Sequence, residues 1–122
     1  MNKTTQALLS LVGAGPGDPE LITVKAIKEL RRADVILYDS LVNPKIFNLA
    51  FEGLEILPEL IFVGKRKGHK SISQEDINKL ILGELRLRKH VLRLKGGDPF
   101  IFARGVEEVE VAKRHGYDYK VI

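Results

Sequence analysis

The chain has 122 residues, of which 44% are hydrophobic and 30% are charged, and it contains no cysteine. This length fits about one domain with its own core and excludes a self-contained two-domain enzyme. The lack of cysteine excludes disulfides, thiolate metal sites and cysteine nucleophiles, and makes a cytoplasmic location the default expectation. The 20 Lys and Arg residues against 16 Asp and Glu residues give a net charge of +4, which suits an anionic ligand but lacks the charge density of a nucleic-acid binder.

The amino-terminal region carries no sign of a membrane segment. Its apolar run, Ala7–Val12, is far shorter than the roughly 20 residues that a membrane span needs. We therefore expect no membrane partner and no targeting or anchoring segment.

Runs rich in Val, Ile and Leu alternate with segments of helical period, which is typical of a parallel sheet covered by helices. We predict an α/β fold with an open, mostly parallel five-stranded sheet, forming a single domain over residues 1–122. The predicted strands are Ala7–Gly13, Asp34–Tyr38, Glu55–Gly64, His90–Lys95 and a last strand that begins at Tyr117. A chain that stops inside a strand indicates part of a longer protein.

Four helices are predicted between these strands. In the first, Asp18 caps a helix that continues to about Ala33, with Pro19 at its first position. Its apolar residues recur at helical spacing, at Leu21, Val24, Ile27 and Leu30. The other predicted helices run from Pro44 to about Phe51, from Ser73 to the basic residues near Lys89, and from about Gly105 to His115.

The last predicted helix has one apolar and one charged face. Its spacing turns Val109 and Ala112 inward, and it turns Glu107 and Glu108 outward with the basic residues that follow. In the third helix, Ser73 is the predicted cap.

Glycines cluster where the first strand turns into the first helix, in Gly13–Asp18. Such glycines allow close approach of a ligand to the backbone, and a helix start favours an anion. Asp18 stands where the dinucleotide fingerprint needs glycine, and Pro16 removes a backbone donor, so a dinucleotide site is disfavoured. A ligand-binding turn and a purely structural turn remain equal alternatives.

Asp39 follows the second predicted strand. Ligands of open parallel sheets bind beyond the carboxyl ends of the strands, which makes Asp39 a candidate base or hydrogen-bond acceptor. The alternative, which the local sequence favours, is that its carboxylate only caps the loop.

Two further loops follow strands. In Gly64–Lys70, five potentially cationic side chains occupy six positions, which fits either a loop that closes on an anionic partner or a solvated charge run. Around Gly96 and Gly97, a double glycine followed by Asp98 makes a compact turn that either binds a ligand or only packs on Phe100 and Phe102. All four loops follow strands, so we expect them at one edge of the sheet.

Zinc and serine-hydrolase chemistry have no support. The three histidines lack the spacing of metal ligands, and no Gly-x-Ser-x-Gly elbow is present.

These motifs together resemble a known family. The matching segments are Val12–Leu21, Tyr38–Val42, Val63–Arg66, Gln74 with Ile77 and Asn78, and Val91–Phe102. From about Leu8 to its end, the chain resembles the amino-terminal half of the tetrapyrrole methylases, specifically the uroporphyrinogen-III C-methyltransferase type. The resemblance implies a two-domain enzyme that holds S-adenosyl-L-methionine between two α/β domains, usually as a homodimer. This chain is then the first domain, inactive alone.

The resemblance also implies a reaction. Enzymes of this type transfer two methyl groups from S-adenosyl-L-methionine to uroporphyrinogen III, giving precorrin-2 for sirohaem and cobalamin, with S-adenosyl-L-homocysteine as by-product. It implies that Asp39 is the proton acceptor and Lys65 the proton donor. The implied contacts to the S-adenosyl ligand are Pro16, Gly96, Gly97, Asp98 and Ile101.

Two features depart from the family pattern. Ala103 and Val106 stand where the family usually has glycine, and the segment around 52–60 is a few residues longer than usual. These changes affect loop geometry more than chemistry.

Other functions remain open. They are another methylase of the cobalamin pathway, diphthine synthase, an RNA-methylating relative, or a non-catalytic nucleotide-binding or interaction module. In a non-catalytic module Asp39 and Lys65 would be bystanders, so substituting Asp39→Asn in the complete protein would leave activity unchanged.

Overall fold

The computed structural model describes residues 7–64, 68, 72–97 and 103–122, without the side chains of residues 103–105. Five strands form one sheet in the described ranges: β1 (Leu8–Gly13), β2 (Val35–Tyr38), β3 (Glu59–Phe62), β4 (His90–Lys95) and β5 (Asp118–Val121). Their spatial order is β3-β2-β4-β1-β5, and every pairing is parallel. The predicted α/β fold with a parallel five-stranded sheet is confirmed.

Four α-helices connect the strands: α1 (Val24–Arg32), α2 (Lys45–Ala50), α3 (Gln74–Arg86) and α4 (Ala103–Arg114). From β1 the chain moves through β2 to β3 at one edge of the sheet, and it then returns through β4 to β5 at the other edge. Because parallel crossovers are right-handed, this reversal of direction places α1 and α2 on one face and α3 and α4 on the other.

Each face of the sheet has its own apolar core, because successive side chains of a strand point to opposite faces. Val12, Ile36 and Leu92 pack on the face of α1 and α2. Leu11, Leu37 and Val91 pack on the face of α3 and α4.

The predicted first helix is wrong at its start. Pro19–Leu21 form a short 3-10 helix, and Ile22 is extended, with ψ 142°, before α1 begins. The reason is a competing cap, since the Thr23 hydroxyl accepts a hydrogen bond from the Ala26 N–H, whereas Asp18 caps only the 3-10 turn. Leu21 and Val24, two of the apolar residues at helical spacing, are 59% and 69% exposed.

The third strand is shorter than the predicted Glu55–Gly64. It lies at the edge of the sheet and pairs with β2 over only four residues, so Ile56 and Leu57 before it stay outside the ladder and exposed. None of the helices within the described ranges is both long and apolar enough to cross a bilayer.

Candidate functional site

Loops from three strands meet at the carboxyl edge of the sheet. The Gly97 N–H donates to the Gly15 carbonyl at 3.0 Å, and the Ala14 N–H donates to the Lys95 carbonyl at 2.8 Å. The side-chain amide of Asn43, after β2, donates to the Gly17 carbonyl at 3.1 Å. These bonds hold the loops after β1, β2 and β4 together, as the sequence predicts.

Glycine is required at two of these contacts. Gly15 and Gly97, which share a hydrogen bond, have φ of 81° and 87°, a region that other residues adopt only with strain. Both turns therefore favour glycine for its backbone conformation, since a Cβ at Gly15 would lie at an ordinary 3.7 Å from the Leu21 carbonyl oxygen.

A cavity of about 210 Å³ opens between the loops after β1 and β4, lined mainly by backbone and apolar groups, including Gly13, Gly15, Thr23, Gly97 and Ile122. These loops lead to opposite faces of the sheet, and that divergence creates a crevice where ligands of open α/β sheets bind. A wall with few charged groups suits a neutral ring or sugar better than a pyrophosphate.

Asp39 lies at the same edge, directly after β2, and its side chain is 20% exposed. One carboxylate oxygen, Oδ1, accepts a hydrogen bond from the Leu41 N–H at 2.9 Å, which is the predicted loop cap. The other oxygen, Oδ2, lies 3.8 Å from Nη1 of Arg93. Asp39 thus caps its loop and is still partly accessible, and its carboxylate lies near the positive charge of Arg93.

The buried charged side chains beneath Asp39 are not predicted from the sequence. Arg93, in β4, and Glu108, in α4, are 4% and 0% exposed and form an ion pair at 3.0 Å. The prediction that Glu108 faces outward is therefore wrong, whereas Val109 and Ala112 are buried as predicted. A signal was present, since a cation in the middle of an apolar strand needs a buried partner.

The predicted site residues are only partly within the described ranges. Asp39, Gly96 and Gly97 come together at the carboxyl edge, and Pro16 lies exposed on the glycine turn beside them. Lys65, Asp98 and Ile101 lie outside the described residues, as does most of the basic loop Gly64–Lys70. The predicted packing of Phe100 and Phe102 also lies outside these ranges.

A second buried polar cluster lies on the opposite face of the sheet, against α1. The Ser10 hydroxyl donates to Oε1 of Glu29 at 3.1 Å and lies 2.8 Å from Nε2 of His90. Lys120 contacts the same carboxylate oxygen at 2.8 Å. Burial lowers the pKa of His90 from its ordinary value of 6.5, against the opposing charge of Glu29. Ser10 is fully buried, so its hydroxyl is not exposed to solvent.

No group of three or more potential metal ligands occurs among the residues that the structure describes.

Comparison with known proteins decides the family. Residues 8–122 match the family described as Tetrapyrrole (Corrin/Porphyrin) Methylases. The chain belongs to the tetrapyrrole methylase family. As a tetrapyrrole methylase it is 52% identical, over 112 residues, to a uroporphyrinogen-III C-methyltransferase of Methanocaldococcus jannaschii, covering 92% of this chain and 45% of that relative. It is 47% identical to a siroheme synthase of Tolumonas auensis, over 92% of this chain and 23% of that relative.

Solved structures of the family have the same fold. A Thermus thermophilus uroporphyrin-III C-methyltransferase superimposes with a TM-score of 0.77 and 39% identity, covering 95% of this chain and 46% of the other. The same Thermus enzyme complexed with S-adenyl homocysteine gives a TM-score of 0.71 and 42% identity, covering 93% of this chain and 43% of the other. This chain thus spans about half the length of these methyltransferases and about a quarter of the siroheme synthase.

Proposed function

We propose that this chain is the amino-terminal domain of an enzyme that methylates uroporphyrinogen III with S-adenosyl-L-methionine, giving precorrin-2 for sirohaem and cobalamin. The observation that carries the proposal is the match of residues 8–122 to the tetrapyrrole methylases, with 52% identity to a uroporphyrinogen-III C-methyltransferase. The cavity between the loops after β1 and β4 supports it, because ligands of this sheet type bind at the carboxyl edge.

The cavity fits part of an S-adenosyl ligand. Its walls are mostly backbone and apolar groups, which can contact an adenosyl moiety without an opposing charge. We assign Pro16, Gly96, Gly97, Asp98 and Ile101 to this ligand, and we assign its remaining contacts to a second domain. When bound, the ligand supplies an electrophilic methyl group, and the protein must hold donor and acceptor in line.

Asp39 and Lys65 have separate roles in this proposal. The Asp39 carboxylate accepts a proton released as the methylated ring system rearranges, and Lys65 supplies a proton to the conjugated chain. The partial exposure of Asp39 supports the first role, since a proton acceptor must reach its substrate. The cations of Gly64–Lys70 suit a substrate that carries eight carboxylates.

Methyl transfer tests the proposal directly. We would replace the matching segment of the M. jannaschii relative with residues 8–122 and supply S-adenosyl-L-methionine with freshly reduced uroporphyrinogen III. A gain of two methyl groups in the tetrapyrrole's mass is expected, with the unaltered relative as positive control. If S-adenosyl-L-homocysteine binds but no methyl group is gained, the substrate is wrong, and a cobalamin-pathway intermediate is tested next.

The separate chain gives a second test. We expect the 122-residue chain to transfer no methyl group by itself, because half of the proposed cleft would be missing. Detectable turnover by this chain alone would contradict the proposal that the site needs a second domain.

We also propose that the complete enzyme is a cytoplasmic homodimer. Exposed apolar side chains in and before the edge strand β3 support self-association, with Ile56, Leu57 and Leu60 being 81%, 58% and 40% exposed. A cysteine-free chain is compatible with a reducing compartment. Light scattering of the complete enzyme and of its Ile56→Asp variant tests whether it is a dimer. Cell fractionation tests its location.

A further inference from the structure

Four charged side chains form a chain of contacts under the carboxyl edge, on the face of α3 and α4. Nε of Arg93 donates to both carboxylate oxygens of Glu108, at 3.0 and 3.1 Å. Nζ of Lys95, two residues further along β4, lies 3.9 Å from Oε1 of Glu108. Nη1 of Arg93 lies 3.8 Å from Oδ2 of Asp39. The buried carboxylate of Glu108 thus anchors two cations, and one of these faces Asp39.

The place of Arg93 in the sheet makes this arrangement unusual. Its neighbours in register are Leu11 on β1 and Leu37 on β2, both buried. A buried ion pair stabilises a fold no better than apolar side chains of the same volume, because both charges lose their hydration. Stability alone therefore gives no reason for an arginine at this position in an apolar strand.

Asp39 supplies a reason. Its Oδ1 is held by the Leu41 N–H at 2.9 Å, and its Oδ2 faces Nη1 of Arg93, which also donates to the Leu94 carbonyl at 3.3 Å. One oxygen is held by a hydrogen bond and the other lies at ion-pair distance from a buried guanidinium, so one orientation of the carboxylate plane is favoured. A group that must take up a proton at one geometry benefits from such preorganisation.

We propose that Arg93, locked in place by Glu108, is a positioning residue that orients the Asp39 carboxylate for its proton transfer. This inference rests on the proposed methyltransferase function. Arg93 is only 4% exposed and lies beneath Asp39, so it acts through Asp39 and does not touch the substrate. Glu108 acts one step further away, by fixing the direction of the guanidinium.

Two variants in the methyltransferase chimera test this role. Arg93→Lys keeps the charge, but an ammonium cannot reproduce the planar fork that serves Glu108 and Asp39 together. The double variant Arg93→Met with Glu108→Gln removes both charges of the Arg93–Glu108 pair together, and the glutamine oxygen can still accept from Lys95. For both we expect kcat to fall about 10- to 100-fold, the scale expected for a misplaced reacting group. KM for either substrate should stay within about twofold, since no binding contact is removed.

A double-mutant cycle with Asp39→Asn separates positioning from a general structural effect. If Arg93 acts through Asp39, the change Arg93→Lys should alter kcat by less than about twofold in the Asp39→Asn background. An equal loss in both backgrounds would show that Arg93 only supports the fold, and a rise in KM without a fall in kcat would assign it to binding.

The buried cluster on the opposite face provides the matched control. Glu29→Gln disturbs a carboxylate that is 3% exposed and contacts Lys120 and His90, yet no residue assigned to the site. We expect Glu29→Gln to lower the stability of the chimera and to leave its kcat unchanged. Full activity of Arg93→Lys in an active chimera would overturn the positioning role alone, whereas an inactive wild-type chimera with an active parental enzyme would overturn the proposed function and this inference with it.

Discussion

Gly96 packs directly on the backbone of Leu41, so that a Cβ added at Gly96 would lie 2.4 Å from the Leu41 carbonyl carbon and 2.5 Å from its oxygen. This contact joins the loop after β4 to the loop that carries Asp39. Main-chain atoms cannot rotate aside as a flexible side chain can, so one of the two loops must move if a methyl group is added.

Gly96→Ala should therefore damage both stability and the site. We expect a loss of about 1–3 kcal/mol in the free energy of unfolding, the usual cost of overpacking, together with weaker binding of S-adenosyl-L-homocysteine. Urea unfolding and calorimetric titration measure the two effects. Unchanged values in both experiments would mean that the loops adapt without cost.

Gly83→Ala is the opposite case. Gly83 lies within α3, and a Cβ at this position would meet no atom within 4 Å apart from the adjacent backbone of its own helix. Alanine restricts the unfolded chain and favours a helix, so we expect a gain of about 0.4–1 kcal/mol with ligand binding unchanged. Urea unfolding measures this gain in stability. A loss of stability would contradict the prediction and would mean that the added methyl group clashes with its surroundings.

Stability should depend on pH through His90. Burial lowers the pKa of His90 below its ordinary 6.5, and the positive charge of Lys120 lowers it further. The negative charges of Glu29 and Asp34 oppose this shift. The unfolded chain therefore binds a proton more readily than the folded chain. The contribution of His90 to stability is complete above pH 6.5 and is lost as the pH falls from 6.5 through the lower folded-state value.

Unfolding measured in urea between pH 8 and pH 5 tests this dependence. His90→Gln should flatten the decline seen below pH 6.5, whereas His115→Gln, at an exposed histidine, should keep it. Equal slopes for the wild type and His90→Gln would assign the decline to other groups.

The start of α3 depends on Ser73, whose hydroxyl accepts a hydrogen bond from the Asp76 N–H at 3.1 Å. Ser73→Ala leaves this N–H without its cap, and we expect a loss of about 1 kcal/mol in the free energy of unfolding. Ser73→Asp keeps an acceptor and should stay close to the wild type. Thermal or urea unfolding of the wild type, Ser73→Ala and Ser73→Asp measures the order of their stabilities.

Much of the fold could be predicted because local patterns and tertiary packing agree. The apolar run of β4 was predicted with its observed bounds, His90–Lys95, since a strand covered on both faces leaves a continuous signal. Ser73 was likewise predicted as a cap from its local sequence. Convergence of the loops also followed from the sequence, because parallel strands end at one edge.

The errors arise where two local signals compete. Both Asp18 and Thr23 are good caps, and apolar spacing across them suggested one continuous helix, but each residue caps a separate turn. The third strand was predicted too long because apolar residues beside an edge strand need not pair. In both cases the limits of the element depend on contacts with other segments, which the local pattern does not contain.

By itself, the sequence determined a parallel α/β sheet, a set of loops at its carboxyl edge, and Asp39 as a candidate in one of them. Only the tertiary structure decided that Glu108 is buried and that its partner is Arg93, whose other side faces Asp39. Helical period assigns a face to each residue but does not say what lies opposite that face. The burial of the Glu108 carboxylate is compensated by a cation from another element, and that pairing depends on how α4 packs across β4.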